Sequence, residues 1–329
     1  MHYVFGIQNY SLGFSVEHDM EELKQVVLDL AKRHVNEGLK TFKINAQRGY
    51  KDFPMTSLEI NREFGAYVLQ AFPHLKVDVH NPEFEIGVDV REKEIFVFSG
   101  KIQSSGGLPV GVSGRALLLL SAGIDSPVAG WYAMRRGLEL QTVTFLSPPL
   151  TTEKSEEKVL SVGRILSKYL PNGLRMWIVP LTEVQTYIKE NAPDEYSLIL
   201  QRRSMMRIEI MIARRVKAKA LITGENLGQV ASQTIENMAA IEEASSLIVL
   251  RPLVGFDKVE ITNKAKEIGT FEISIKPYID SCVAFAPKHP ATRSNINELK
   301  EIEAKLEKLR ELEFEAFKCR KSYRIVSED

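Results

Sequence analysis

With 44% hydrophobic and 26% charged residues over 329 positions, the chain has ordinary globular usage and fits poorly with a disordered, fibrous or membrane-embedded protein. Lysine plus arginine equals aspartate plus glutamate, 43 against 43, so no whole-chain field would gather a polyanion and a nucleic-acid site must be a local patch. At roughly 100 to 200 residues per domain, the length implies two or three compact units.

Residues 1–10 lack the basic-then-apolar pattern of a secretory signal. The apolar run 116–120 is far shorter than the roughly 18 residues that a spanning helix needs. The expected location is therefore the cytoplasm. From 20 to 35, apolar residues recur at helical spacing (Met20, Leu23, Val26, Val27, Leu30, Ala31), with Asp19 placed to cap the start. Residues 41–46 alternate, Phe42, Ile44 and Ala46 against Lys43 and Asn45, as a half-buried strand does. Helical spacing returns over 56–72, and 76–79, 84–90 and 94–98 read as strands, so the first hundred residues form a small α+β unit. Lys40, Lys43, Arg48 and Lys51 gather about one strand and its loop with Phe42 and Tyr50 interleaved. That is the composition of a phosphate-tracking, base-stacking surface, and equally of an ordinary solvated strand edge.

Between 100 and 114 the composition shifts to Ser104, Ser105, Gly106, Gly107, Pro109, Gly111, Ser113 and Gly114, which marks a domain boundary. Beyond it, strand and helix alternate: 116–120, 127–136, 140–145, 153–169, 175–179, 198–216 and 220–223. The fold class this predicts is α/β, a parallel sheet with helices on both faces. The all-apolar strand Leu117-Leu118-Leu119-Leu120 suits a sheet buried on both sides. Ligands of such sheets sit past the carboxyl ends of the strands, which directs attention to Ser121.

There the sequence reads Ser121-Ala122-Gly123-Ile124-Asp125-Ser126-Pro127. Small and hydroxyl residues let backbone N–H groups crowd an anion at the start of the next helix, and Pro127 suits that helix's first turn. The spacing is neither Walker A nor the dinucleotide fingerprint. It resembles the PP-loop of ATP pyrophosphatases, S-G-G-x-D-S, with Ala122 where that family usually carries glycine; the exchange would be penalised if the backbone there needs φ > 0.

Further segments widen the resemblance to one family, the tRNA 4-thiouridine synthetases (ThiI family). They are Phe5-Gly6-Ile7-Gln8-Asn9, Gly107-Leu108-Pro109-Val110-Gly111, Val128-Ala129-Gly130-Trp131-Tyr132, Arg202-Arg203-Ser204-Met205, the run 223–234, Gly255-Phe256-Asp257-Lys258 and the run 281–288. The resemblance implies an α/β PP-loop domain over 115–329, joined by a linker over 103–114 to a small α+β THUMP domain over 20–102. Residues 1–19 are expected to be the tail of an N-terminal ferredoxin-like domain, and no rhodanese domain is expected. By motif, the nucleotide contacts fall on Leu119, Leu120, Ser121, Gly123, Asp125, Ser126, Thr144, Phe145, Arg202, Gly224 and Gln233. Asp125, Lys258 and Cys282 fall on the catalytic positions. ATP and Mg²⁺ are the implied cofactors, with Asp125 helping to hold the ion on the phosphates while Arg202 and Lys258 offset charge at the α-phosphate and the leaving pyrophosphate; no protein metal cluster is expected.

The implied reaction has uridine O4, expected at tRNA position 8, attack the α-phosphorus of ATP. A sulfur nucleophile then attacks C4 and expels AMP. The only cysteines are Cys282 and Cys319, too few for a disulfide framework or a four-thiolate cluster and without zinc spacing. Cys282 lies in a matching segment. Cys319 has only the neighbours Lys318, Arg320 and Lys321 to lower its pKa. Implied partners are tRNA, gripped at its acceptor end by the THUMP domain, and a cysteine desulfurase or other persulfide donor. A homodimer and a link to thiazole and thiamine synthesis are left open. Two other readings stay in view: a PP-loop enzyme adenylating a non-RNA acceptor, and a tRNA-binding protein without catalysis. A THUMP-bearing methyltransferase fits less well, for no glycine-rich adenosylmethionine site is visible.

Overall fold

The computed structural model describes residues 3–277, 285, 287 and 289–326. The chain forms two compact units, one of Gln8–Ser104 and one of Met1–Ile7 with Ser105–Asp329.

In the smaller unit, β1 (Asn9–Tyr10) and β2 (Gly13–Val16) lead into α1 (Met20–Asn36), β3 (Thr41–Arg48), α2 (Ser57–Ala71), β4 (Lys76–Val77), β5 (Phe84–Val90), β6 (Ile95–Ser99) and β7 (Ile102–Gln103). The Asp19 carboxylate accepts from the N–H groups of Glu21 and Glu22 and starts α1, and a Thr56–Glu59 capping box starts α2. The strands form one five-stranded sheet in the order β2-β6-β5-β3-β4, plus a β1–β7 ribbon. The strand expected over 76–79 stops at Val77, because the Asp78 carboxylate takes the N–H groups of His80 and Asn81 and turns the chain. Leu23, Val27, Ile60, Phe64 and Val68 from the helices close over Phe42, Ile44, Ile86 and Val88 of the sheet.

The larger unit carries a six-stranded sheet in the order β12-β11-β8-β9-β10-β13. Its strands are β8 (Arg115–Leu119), β9 (Glu139–Leu146), β10 (Leu174–Pro180), β11 (Ala220–Ile222), β12 (Ile248–Leu250) and β13 (Lys321–Ile325). The first five run parallel, and only β13, on the edge beside β10, is antiparallel. Helices α3 (Asp125–Arg135), α4 (Glu153–Ser167) and α8 (Lys258–Glu267) supply the core of one face; α5 (Thr182–Asn191), α6 (Ser197–Arg215), α7 (Ile235–Glu242) and two C-terminal helices, Ile296–Lys305 and Leu309–Lys318, supply the other. A short α9 (Phe271–Ser274) packs on α4. Strand β8 shows why its sequence does not alternate in polarity: Leu117 enters one core, Ala116 and Leu118 the other, and both faces are dry. Strands β12 and β13 are short or at an edge and give little periodic signal in the sequence. No helix among the described residues is long and apolar enough to cross a membrane.

Candidate active site

The turn between β8 and α3 is held by its own hydroxyls. The Ser121 N–H donates to Ser126 Oγ at 2.9 Å, Ser126 Oγ donates back to the Ser121 carbonyl at 3.1 Å, and the Gly123 N–H reaches Ser121 Oγ at 3.3 Å. The helix that follows begins with no side-chain cap, so its first amides are left for a ligand, and an anion is the natural one. Ala122 costs the turn nothing. Among the described residues Lys217 is the one non-glycine at positive φ, and the Ala122 methyl is fully buried in the core around Leu118 and Val128.

A cleft of about 720 Å³ opens past the carboxyl ends of β8, β9 and β11. Its walls are Leu119, Leu120, Ser121, Gly123, Asp125 and Ser126 from the turn, Thr144 and Phe145 from β9, Arg202 and Met205 from α6, Gly224 and Glu225 after β11, and Gln233. The structure thus brings together every nucleotide-contact residue expected from the sequence, and adds Met205 and Glu225. Phe145 is also a core residue, 6% exposed. Thr144 Oγ1 donates to the Leu120 carbonyl at 2.7 Å and ties β9 to the turn. Gly224 is obligatory for space, since a Cβ there would lie 2.7 Å from the Ser126 nitrogen and 2.8 Å from its Cα.

Two charge clusters reach the cleft through the lining residues Asp125, Arg202 and Glu225. Lys258, the first residue of α8, places Nζ 2.6 Å from Asp125 Oδ1, while Gln229 Nε2 donates to Oδ2 at 3.4 Å. Across from them the Arg202 guanidinium donates to Glu225 at 2.8 Å, and Glu225 also accepts from Arg251 Nε at 2.9 Å and Thr223 Oγ1 at 3.0 Å. Burial by itself would raise the Glu225 carboxyl, but Arg202 and Arg251 outweigh it and hold the group below the usual range. Glu225 is therefore ionised and committed, and it positions Arg202. Glu209, on α6, is fully buried with neither carboxyl oxygen hydrogen-bonded, and burial pushes it up to about 8. Gln233 Oε1 is likewise buried without a donor. Among the described residues no three histidine, cysteine, aspartate or glutamate side chains gather as a metal cage. A Mg²⁺ would fit here as an ion carried on nucleotide phosphates and held by Asp125, the cleft-lining carboxylate among the described residues that Arg202 and Arg251 do not already saturate as they do Glu225.

Cys282 lies outside the described residues, as does most of its segment. Cys319 is exposed, just after the helix Leu309–Lys318. The basic strand of the smaller unit needs correction: Phe42 is fully buried in that unit's core and offers no stacking face. Lys43 is paired across strands with Glu85 at 2.9 Å, and Tyr50 stacks on His18. On α6, Arg203 and Arg207 are taken up by Glu303 and Glu313, whereas Arg214 and Arg215 at its end are exposed.

Comparison with known proteins agrees with this architecture. The family model described as thiamine biosynthesis protein (ThiI) matches residues 111–308, and the THUMP domain model matches 17–99. A protein named probable tRNA sulfurtransferase from Thermotoga maritima is 52% identical over 320 residues, covering 97% of this chain and 82% of its own. One of the same name from Anoxybacillus flavithermus is 46% identical over 290 residues, covering 88% and 72%. Among solved structures, a 4-thiouridine synthetase–RNA complex with bound ATP superposes with a TM-score of 0.93 at 52% identity, over 98% of this chain and 84% of that one. PH1313 from Pyrococcus horikoshii, at 24% identity and a TM-score of 0.61 over 81% and 78%, shares the fold.

Proposed function

Since the chain belongs to the ThiI family, we propose that it is an enzyme that uses ATP to activate a uracil of tRNA and replace O4 of that base with sulfur, giving 4-thiouridine. The observation that carries this reading is the convergence on one cleft of the uncapped α3 turn, Arg202 and Asp125, with Lys258 paired to Asp125 beside it.

In the first step O4 attacks the α-phosphorus and pyrophosphate departs, leaving the base adenylated. The amides of the turn hold the phosphates. Arg202, oriented by Glu225, and Lys258 offset the charge that grows on the α-phosphate and the leaving group. A bound Mg²⁺, held by Asp125, would supply further charge neutralisation on the phosphates. Gln233 Oε1, buried without a protein donor, is an acceptor for an exocyclic amine of the nucleotide base. In the second step sulfur bonds to C4, the C4–O bond breaks and AMP leaves. Cys282 is the proposed carrier of that sulfur as a persulfide loaded by a cysteine desulfurase or similar donor: the outer sulfur bonds to C4 as AMP leaves, and an external thiol then cleaves the S–S bond that still joins the base to Cys282, ending in a disulfide with Cys282 and freeing the thiolated base. Thiazole synthesis is a second destination for the sulfur. The THUMP domain is assigned the tRNA acceptor end.

Mass spectrometry of tRNA incubated with the protein, ATP and a sulfide source tests the reading: a gain of sulfur at one uridine, dependent on ATP, is expected. ATP–pyrophosphate exchange that runs at full rate without tRNA would point instead to a non-RNA acceptor.

A further inference from the structure

At the amino ends of the same strands, on the opposite edge of the sheet from the cleft, a second pocket collects five cationic side chains and one carboxylate: Arg115, Arg175, Arg215, Lys217 and Arg324 around Glu139. The carboxylate is already satisfied. Glu139 takes Nε and Nη2 of Arg115 in a bidentate pair at 2.9–3.2 Å. Arg175, Arg215 and Lys217 have no carboxylate partner among the described residues, and Arg324 donates only to the Asn172 carbonyl, at 3.4 Å. All four are exposed. The floor is Trp177, whose ring lies under the Arg175 guanidinium at 5.9 Å and that of Arg320 at 5.4 Å. Arg320 is depressed by burial and then by the neighbouring Arg215. Arg320 and Arg215 are thus like charges held near one another.

A chain of zero net charge gains nothing in stability from such an excess, which is what a polyanion surface requires. The guanidinium forks suit phosphate oxygens, which they meet in bidentate fashion. We infer that this pocket is a docking surface for the phosphodiester backbone of the RNA substrate, which rests on the function proposed above. The strands between pocket and cleft are five to eight residues long in β8 and β9, about 17 to 26 Å at ~3.3 Å per residue. An RNA occupying both must pass around the unit, as a folded RNA can and a short oligonucleotide cannot.

The test is tRNA binding by the full-length protein across a KCl series, with Arg215→Gln, Lys217→Asn and Arg324→Gln combined; asparagine tolerates the positive φ of Lys217. The expected result is a Kd at least tenfold weaker at low salt and a plot of log K against log [KCl] shallower by about two to three, near one per lost phosphate contact, with ATP affinity unchanged. A Lys305→Gln/Lys308→Gln control, removing charge elsewhere on the unit, should move neither. Unchanged tRNA affinity and slope in the triple variant, or equal losses in the control, overturns the inference while leaving wild-type thiolation intact. A wild-type protein that neither binds nor thiolates tRNA removes the proposed function and this surface with it.

Discussion

Nζ of Lys258 lies 2.6 Å from Oδ1 of Asp125, although 133 residues separate them. Each is the first residue of its helix, Asp125 of α3 and Lys258 of α8, and these two helices pack together on one face of the sheet. A carboxylate at the mouth of an anion site is unfavourable to the anion unless a cation stands between them, and Lys258 is that cation in this arrangement. The pair is open to solvent, at 46% and 24% side-chain exposure, so it adds little to stability. Lys258→Ala is expected to lower the rate of tRNA adenylation by about 10²- to 10³-fold while shifting unfolding free energy by less than about 1 kcal/mol. Pyrophosphate release and a thermal melt measured on the same preparation check both halves. A large drop in melting temperature with adenylation retained would make the pair structural.

Gly224 gives a sharper steric prediction. Its missing side chain lets the end of β11 approach the start of α3, and a Cβ would press on the backbone of Ser126, which has no flexible end to yield. Gly224→Ala should displace the turn, weaken ATP binding by more than tenfold and destabilise the unit by about 1–3 kcal/mol, as overpacking does. Calorimetric titration with ATP measures the first effect and denaturant unfolding the second; wild-type affinity in this variant would show that the turn does not contact the nucleotide.

How far the site is legible in the sequence depends on whether its parts are local. The Ser121–Ser126 turn announces itself, because strand, small residues and helix follow one another, and the capping residues Asp19 and Thr56 do the same for the smaller unit. Arg202, Gly224 and Gln233 come from separate stretches that periodicity cannot join, and only the family motifs place them beside the turn. Charge is least legible. Phe42 among lysines reads as a stacking residue, yet strand alternation sends it into the core, and the acids that take up Arg203 and Arg207 lie about a hundred residues downstream, beyond the reach of any local pattern. Glu225 sits in the matched run 223–234 without being singled out there, Glu209 lies in no matched segment, and burial makes both conspicuous.

Those internal ion pairs make their own prediction. Arg203, 3% exposed in its side chain, donates to Glu303 at 2.9 Å and Glu243 at 2.9 Å, and Arg207 donates to Glu303 at 2.8 Å. Glu303 joins the helix Ile296–Lys305 to α6, the helix that carries Arg202. Removing one member leaves two guanidinium groups without their shared partner, so Glu303→Ala should cost about 3–5 kcal/mol. Urea unfolding measures the loss. If the variant unfolds at the wild-type midpoint, the network is not holding the helix.

Glu209 adds a pH dependence to stability, in the same direction as Glu313, whose carboxyl burial also raises. It follows Arg202 by two helical turns on α6, is fully buried, and hydrogen-bonds to nothing among the described residues. Burial is the first cause of its raised pKa; Glu225 adds to it and Arg202 opposes it, leaving the group at about 8. The folded protein therefore keeps a proton that the unfolded chain releases near the ordinary carboxyl value of 4.5. The stabilisation is complete below that value and fades as pH rises, with the loss largely complete near pH 8, a change on the order of 5 kcal/mol at 1.36 kcal/mol per unit. Acids held low by arginine, Glu225 and Glu303, lose their contribution only below their ordinary value, so they do not mask this window. Melting temperature should fall between pH 5 and pH 8 in the wild type, and Glu209→Gln, which cannot ionise, should flatten the fall and melt higher at pH 8. Parallel curves for the two proteins would place the titrating proton elsewhere.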